Sequence, residues 1–357
     1  MEGTRVCFVI PYPPNTAPSQ RFRFEQYMER LADQGVDASM SPLFSHNAFT
    51  SIFRTGSLIA KITALAQSYV KRIRLLFQLR PYSYVFLHRE ALPLGPPVFE
   101  WFITKVLRKK LIYDFDDAIW LTDRTNESAI LRWLRWRSKV SSVCRWSYKV
   151  SCGNAYLADY ARQFNPNVVI NPTTIDTRIH RPIPKTPTEK VTIGWTGSHS
   201  TLKYLSTLIP VLQQLEDQFE QIHFLVIADR DPQLPLRRCQ FVPWDNAREI
   251  HDLARIDIGV MPLPDDPWTR GKCGFKALQY MALEIPAVVS PVGVNKEIVA
   301  DGVDGYWCTT HAEWADRLST LIVNADQRRS MGARGRQKVI EHYSVDANTS
   351  NFLSLFQ

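Results

Sequence analysis

Two lysines stand one helical turn apart at the start of an αβ unit, in the segment Gly271 to Gly293, GKCGFKALQYMALEIPAVVSPVG. A glycine-bracketed basic loop leads into a helix pattern, which breaks at Pro286 and continues as a β-type stretch. Free N–H groups at a helix start, with the added charge of Lys272 and Lys276, make a site for a phosphate or diphosphate. Phe275, Leu278, Met281 and Ala282 recur at helical spacing, so the body of the same helix is core while its start and the preceding loop, Asp265 to Cys273, face a cleft. A second turn, in GWTGSHSTLKYL, offers related chemistry: Gly194 and Gly197 permit a tight strand-to-helix turn, and Lys203 follows within the first turns of the helix. On spacing alone this is equally an ordinary βα turn with a solvated lysine.

Carboxylates and basic residues cluster in the first half. YDFDDAIW puts Asp114, Asp116 and Asp117 at the end of a strand, where three carboxylates are costly unless hydrogen-bonded or paired. Asp114-Phe115-Asp116 also matches a metal-binding DxD tripeptide, but that signal is short and weakly specific and is set aside; the structural alternative is that Asp114 or Asp117 caps the next helix or pairs with an arginine. Arg21 and Arg23 follow the loop after the first strand, and His88, Arg89 and Glu90 follow the strand Tyr84–Leu87. These strand ends suit an acceptor or its phosphate. For His88, a structural and a chemical role weigh equally.

The elements that must position these groups alternate. In the first half, strands are expected at Val6–Ile10, Tyr84–Leu87 and Leu111–Phe115. Helix patterns are expected at Arg21–Gln34, Ile52–Leu79, Val98–Lys109 and Glu127–Lys149. Residues 171–190 are rich in proline and threonine without periodicity and read as a linker. Beyond it the alternation restarts, with strands at Val191–Trp195, His223–Ile227, Gln240–Val242, Ile258–Pro262, Ala287–Ser290 and Gly305–Cys308. Helices are expected between them at Leu202–Gln218, Ala247–Ala254, Phe275–Ala282, Ala312–Val323 and Ala325–His342. This is an α/β pattern: two doubly wound domains facing across a cleft, with ligands at the carboxyl ends of parallel strands. The expected division is an N-terminal domain over 1–172, a linker over 173–190, a C-terminal domain over 191–340, and a helix over 341–357 that returns to the N-terminal domain.

At 357 residues the chain is long enough for two such cores. No run of about 18 apolar residues is present to span a membrane. The start, MEGTRVCFVIPYPP, has too short an apolar run for a signal peptide, and the six cysteines lack metal-type spacing, so a cytoplasmic setting with reduced thiols is expected. Residues 1–172 hold 23 Lys and Arg against 13 Asp and Glu, and the rest holds 20 against 22, so the excess positive charge lies in the first half. Such a field suits an anionic partner. LRWLRWRSKVSSVCRWSYKV, read as one helix, puts Trp133, Trp136, Val140 and Val143 on one face and Arg132, Arg135 and Lys139 on another. Ile52–Leu79, with Lys61, Lys71, Arg72 and Arg74, behaves similarly. Both patterns suit the inner face of a membrane, and equally helices packed on a sheet with solvated basic faces. No nucleic-acid reader motif accompanies the charge, so nucleic acid is not an expected partner.

From IGWTGSHSTLKYL through FKALQYMALEIPAVVSPVGVNKEIVADGVDGYW to the helix ending in EHYS, the second half resembles the retaining GT-B glycosyltransferases of family 4. The first half matches in its order of strands and loops. In that family a glycine, an arginine and a lysine after the first donor-domain strand hold the donor diphosphate. Gly197 and Lys203 match, and Ser198 stands at the arginine's place. Two family glutamates eight positions apart contact the sugar and the ribose around a G-F-G turn. Gly274 matches the second glycine, while Gly271 and Gln279 replace the glutamates. The resemblance implies donor contacts from Gly197, Ser198, Lys203, Lys272, Gly274, Phe275, Lys276 and Gln279, with the lysines steadying the leaving diphosphate in place of a metal or cofactor. A family His-Asp pair near the sugar falls on Asp116 and Asp117, which gives Asp116 the sugar or acceptor.

The implied activity is hexosyl transfer, with retention, from a nucleotide sugar to a saccharide or lipid-linked acceptor in cell-surface polysaccharide synthesis. A nucleotide-binding scaffold without turnover and a sugar-nucleotide epimerase of GT-B shape stay open beside it.

Overall fold

The computed structural model describes residues 3–50, 58–122, 128–185 and 188–357. The starts of the helices expected at Ile52 and Glu127, and part of the expected linker, lie outside the described residues. The chain forms two compact units, Met1–Thr173 together with Asn348–Gln357, and Thr174–Ala347.

In the first unit, β1 (Arg5–Ile10), β2 (Asp37–Pro42), β3 (Tyr84–His88), β4 (Lys110–Phe115), β5 (Lys149–Cys152) and β6 (Val168–Ile170) form one parallel sheet. Its order is β2-β1-β3-β4-β5-β6, so the winding reverses between β1 and β3. The central strands β1, β3 and β4 are mostly apolar and buried beyond the exposed first residues Arg5 and Lys110, as parallel strands covered on both faces are. Tyr27, Phe24 and Phe86 pack with Phe352 and Phe356 of the last ten residues, Tyr27 stacking on Phe352 at 4.2 Å. Asn351 donates to the Ile170 carbonyl at 3.0 Å, and Tyr148 to that of Gln357 at 2.6 Å. These contacts make the chain's end part of the first unit.

Three expected helices are broken. Arg21–Gln34 is instead Pro18–Arg21, a 3-10 turn Glu25–Tyr27 and Met28–Asp33, because Phe22, Arg23 and Phe24 are all buried in succession and no single helical face can bury three neighbours. Val98–Trp101 passes into a π-helical turn, Phe102–Val106, and stops before the left-handed Arg108. The stretch before β5 is two helices, Ala129–Arg135 and Lys139–Trp146, split at Trp136, whose φ is 49°. The four-residue apolar face expected across them therefore does not exist. Trp133 is exposed, whereas Val140 and Val143 are buried. Lys139 is buried too, 2.7 Å from Glu90 and donating to the Leu92 carbonyl. Arg72, expected on a basic face, is fully buried and donates to the carbonyls of Ile10, Ser41 and Ala91.

The second unit holds β7 (Val191–Gly197), β8 (Ile222–Ala228), β9 (Cys239–Pro243), β10 (Ile258–Met261), β11 (Ala287–Val289) and β12 (Gly305–Trp307). They form a parallel sheet in the order β12-β11-β10-β7-β8-β9, reversing between β7 and β10. Its core packs Trp195, Val226 and Val260 against Leu212 and Leu215 of the helix Ile209–Gln218 and Leu318 and Leu321 of His311–Val323. The expected helix Leu202–Gln218 is three consecutive pieces, Leu202–Leu205, a 3-10 turn Ser206–Leu208 and Ile209–Gln218.

At the reversal, β7 and β10 pair only through Ile193 with Ile258 and Gly194 with Gly259. The two glycines admit side chains from elsewhere: a Cβ on Gly194 would lie 2.3 Å from Ile256, and one on Gly259 would lie 2.3 Å from the Tyr280 ring. Gly194, expected to ease the turn, is thus a mid-strand packing position. Gly259→Ala overpacks a fully buried ring and is expected to cost about 1–3 kcal/mol, measured as a fall in the midpoint of thermal unfolding.

Candidate active site

In the second unit, the helix Phe275–Ala282 packs on β10 and β11, reaches β7 through Tyr280 and fixes the site. Gly274 precedes it at φ 67°, a left-handed conformation, and a Cβ there would also strike Ile298 at 2.0 Å. Only glycine suits both the twist and the space. Inside the helix, Tyr280 accepts a hydrogen bond from the Thr196 N–H at 3.1 Å and donates to the Val260 carbonyl at 3.4 Å. The β7 turn comes from the other side: a Cβ on Gly197 would meet the Trp195 ring at 2.4 Å, and the Lys276 ammonium is 5.4 Å from the centre of that ring. Gly197 and Lys276, far apart in sequence, therefore share one indole.

The remaining donor-side candidates are more scattered. Ser198 follows Gly197, its N–H bonded to the Thr201 hydroxyl at 3.2 Å and its own hydroxyl to that of Ser200 at 2.8 Å. Lys203 is exposed on the short helix Leu202–Leu205, its ammonium 5.1 Å from the ring of Tyr204. Lys272 is not in the helix with Lys276 but in the loop before Gly274, 5.1 Å from the ring of Trp268. That loop itself contains a short helix, Pro267–Arg270, capped by Asp266. Phe275 is half-buried at the first helical position. Gln279 is 1 % exposed, and its Nε2 makes no protein hydrogen bond. Asn295, equally buried, leaves its Oδ1 unbonded 3.4 Å from where a Gly274 Cβ would stand. Gln279 within this helix and Asn295 beside Gly274 thus each leave a buried amide atom that lacks a polar partner.

In the first unit the expected groups form two linked networks at the carboxyl ends of the strands. Asp114 on β4 is fully buried and accepts from Arg23, from Ser151 at 2.6 Å and from His88 Nδ1 at 2.7 Å. Burial alone would raise the Asp114 carboxyl, but the Arg23 charge and the His88 hydrogen bond outweigh it and hold it well below the usual carboxylate range. Arg23 also donates to the Asn171 carbonyl. Neither Asp114 nor Arg23 is open to an acceptor, as was expected of both; they are the frame of the site. Above them, Arg89 has φ 59° and donates to Asp116 at 2.8 Å and Asp117 at 2.6 Å. His88 Nε2, fully buried and without a hydrogen-bond partner, lies 4.0 Å from Asp116. Arg21 is half-buried at the end of Pro18–Arg21, its guanidinium 4.8 Å from the Phe22 ring.

The fold matches known structures. Sucrose-phosphate synthase from Thermosynechococcus elongatus superposes at a TM-score of 0.74, with 14% identity over 99% of this chain and 98% of that one. HepE from Anabaena, in complex with UDP and glucose, gives 0.68, with 13% identity over 99% of both chains. A glycosyltransferase from Rickettsia africae gives 0.69, with 12% identity over 99% of this chain and 98% of that one. The fold is GT-B. Residues 190–324 of this GT-B chain match the family model described as Glycosyl transferases group 1, a stretch within the second unit. Comparison with the curated proteins finds no match.

Several participants in this GT-B chain escaped the sequence reading. Tyr12, after β1, sits in the field of Arg89, Glu90, Asp116 and Asp117, and burial pushes its phenol above its ordinary value. His199, after β7, is bound twice by Asp229 at the end of β8, through its N–H and its Nδ1, both at 2.6 Å. Burial opposes the Asp229 charge, yet these bonds hold its carboxyl below the usual range. His199 stands next to Ser198, where the resembled family keeps an arginine. That adjacency was visible in the sequence; its anchoring by Asp229, thirty residues on, was not.

The buried hub sets a testable balance. Arg23→Met strands a buried carboxylate and is expected to cost about 3–5 kcal/mol at neutral pH. Because the Asp114 carboxyl is depressed on folding, its contribution is complete above about pH 4 and is lost as pH falls below that. Denaturant titrations should therefore show a smaller loss of stability between neutral and acid pH in Asp114→Asn than in the wild type.

Proposed function

We propose that this chain is a glycosyltransferase whose second unit binds a nucleotide-sugar donor. The observation that carries the reading is the meeting of the Gly197 turn and the Lys276 helix start on Trp195, at the sheet reversal and beside the unsatisfied Gln279 amide. Open parallel sheets bind ligands at such a reversal, and helix N–H groups with a lysine suit a diphosphate. Gln279 gives its free amide to a ribose hydroxyl, and Gly197 allows the backbone to approach the phosphates. Lys203 and Lys272 add charge to the same leaving group, with Ser198 and Phe275 lining it. The group 1 match over 190–324 supports this assignment. The HepE structures, in complex with UDP and glucose and with UDP-glucose, make UDP-sugars the donors to test first.

The transferred sugar leaves a nucleotide diphosphate that gains negative charge as the glycosidic bond breaks through an oxocarbenium-like state. Cations and N–H dipoles already in place stabilise that charge most in the transition state. Transfer proceeds with retention and without a metal ion. The commitment of Asp114 to Arg23, and of Asp116 and Asp117 to Arg89, supports the metal-free part, since guanidinium charge already balances the DxD-like carboxylates. In the first unit, Asp116, Arg89 and Tyr12 form the acceptor side, with His88 beneath them and Arg21 beside the first loop. The acceptor is a saccharide, free or lipid-linked, of the kind used in cell-surface polysaccharide synthesis.

A thermal-shift panel of nucleotides and nucleotide sugars with EDTA present tests donor binding. Stabilisation by a UDP- or GDP-type ligand is expected, and Lys276→Ala and Gln279→Ala should each weaken it about tenfold or more. Product anomers read by NMR then test retention. Binding with neither transfer nor donor hydrolysis would leave only a nucleotide-binding scaffold. Conversion of the donor without acceptor would mean an epimerase, and a strict Mn2+ or Mg2+ requirement would restore the metal-binding reading of Asp114 and Asp116.

A further inference from the structure

The helix Leu58–Gln78 faces the wrong way for a core helix. Its inward side is Ala64, Ser68, Arg72 and Leu75, small or polar for the most part. Its outward side is Ile59, Ile62, Ala66, Val70, Ile73 and Phe77, spaced by three or four residues over five turns. Ile59 is 75% exposed, Ile73 57% and Phe77 82%. Arg74 borders this stripe, and Lys61 and Lys71, also exposed, lie on the flanks nearer the inward side. Between Asp37 and Glu90 the chain contains seven Lys and Arg and no Asp or Glu. Monomeric proteins seldom leave a continuous apolar strip of this kind in water.

The stripe has a fixed place in the first unit. Arg72 ties the helix to the carbonyls of Ile10 and Ser41, where β1 and β2 end, and to Ala91 just past β3. Tyr69 donates to the Leu94 carbonyl at 2.8 Å, and the next N–H, of Gly95, donates to Leu134 at 2.7 Å. The second bond joins the helix Ala129–Arg135, with Ile130 and Trp133 both more than two-thirds exposed. The apolar surface is therefore assembled at the strand ends where Tyr12, Arg89 and Asp116 stand.

We propose that this face docks on an anionic lipid bilayer, the Leu58–Gln78 helix lying flat in the interface with its stripe among the acyl chains and its basic border among the headgroups. The helix runs about 30 Å at ordinary rise, and among the described residues no helix is long and apolar enough to cross a membrane, so it lies on the bilayer. Charge selects the occupant. A second copy docked on the same stripe would bring two basic helices together with no acidic residue in either to offset them, whereas an anionic surface attracts that charge. The inference deepens the membrane part of the acceptor reading, since a lipid-linked acceptor would be met at the surface that carries it, but docking itself needs neither donor nor acceptor.

Sedimentation of the full chain with vesicles tests it, using phosphatidylcholine alone and phosphatidylcholine with about a third phosphatidylglycerol. Binding to the anionic vesicles is expected, at least about tenfold stronger than to neutral ones and weakened by salt. Ile73→Ser/Phe77→Ser and Lys61→Gln/Lys71→Gln/Arg74→Gln should each reduce it about tenfold. All five side chains are exposed, and unchanged thermal unfolding would show that both variants fold. Equal binding by wild type and both variants, or no binding to either vesicle, overturns the proposal. So does a dimer, seen by light scattering, that the serine variant dissociates while vesicle binding stays unchanged. Nucleotide-induced thermal shift, read on the same variants, reports donor binding separately: its loss in the wild type would sink the transferase and leave vesicle docking standing.

Discussion

The hydroxyl of Tyr280 lies between two parallel strands that stop pairing just before it. Beyond Gly194 and Gly259, β7 and β10 no longer bond to each other; the Thr196 N–H and the Val260 carbonyl turn to the phenol instead. A buried backbone donor and acceptor left unmade would each cost about 1–3 kcal/mol, so the splay persists only because one side chain satisfies both. That splay lets the helix Phe275–Ala282 start at the sheet reversal and brings Lys276 to the Trp195 indole. Gly259 makes room for the ring and Gly274 for the helix start. The donor-side geometry is thus a consequence of packing around one tyrosine, and the charged residues are carried to their places by it.

The first unit solves a different problem. Its strand ends concentrate four carboxylates, Asp114, Asp116, Asp117 and Glu90, and each is met by a cation: Arg23, Arg89 for the pair, and Lys139. The depth of each pair separates their roles. Asp114 is sealed and serves to orient His88 through Nδ1, which turns Nε2 towards Asp116. Asp116 and Asp117 keep some exposure and share a guanidinium held by a strained, left-handed Arg89. A backbone strain of that kind persists only where surroundings over-determine it, and here the Arg89 N–H to the Asp114 carbonyl at 2.7 Å is part of that determination.

Much of the second unit was legible in the sequence because its strands are short apolar runs between glycine, proline and charged turns, and the period changes cleanly at each boundary. Strands expected at His223–Ile227 and Ala287–Ser290 appear at Ile222–Ala228 and Ala287–Val289, and the helix Phe275–Ala282 appears with its expected bounds. The first unit was less so. β2, DASMSP, is a polar edge strand, and β6 has only three residues, so neither carries enough pattern to stand out. β5 was not expected, since the helix expected over Glu127–Lys149 ran up to its first residue, and nothing local announces that Trp136 splits that helix. Of the site, the lysines and the Asp cluster could be found by type and spacing. Their partners could not: Asp229 for His199, Arg89 for Asp116 and Asp117, and Tyr280 for Thr196 are all set by topology, across 27 to 84 positions of chain.

Arg72 shows how a single polar group can invert a helix. Hydrophobic patterning places the larger aliphatics of Leu58–Gln78 inward, since burying them is the dominant favourable term. Three backbone carbonyls at the strand ends outweigh that preference: one guanidinium supplies a donor to those of Ser41 and Ala91 and a second donor to that of Ile10, which also takes the Leu43 N–H at 2.7 Å. Once Arg72 points inward, helical geometry sends positions 66, 70, 73 and 77 to the opposite side, whatever occupies them. A chain selected only for solubility would fill those positions with polar residues at little cost to the fold. This one keeps Val70, Ile73 and Phe77 there, between lysines and arginines and far from any acidic residue in the sequence. The apolar stripe therefore contributes little to the packing, which is the composition that the proposed docking on a bilayer accounts for.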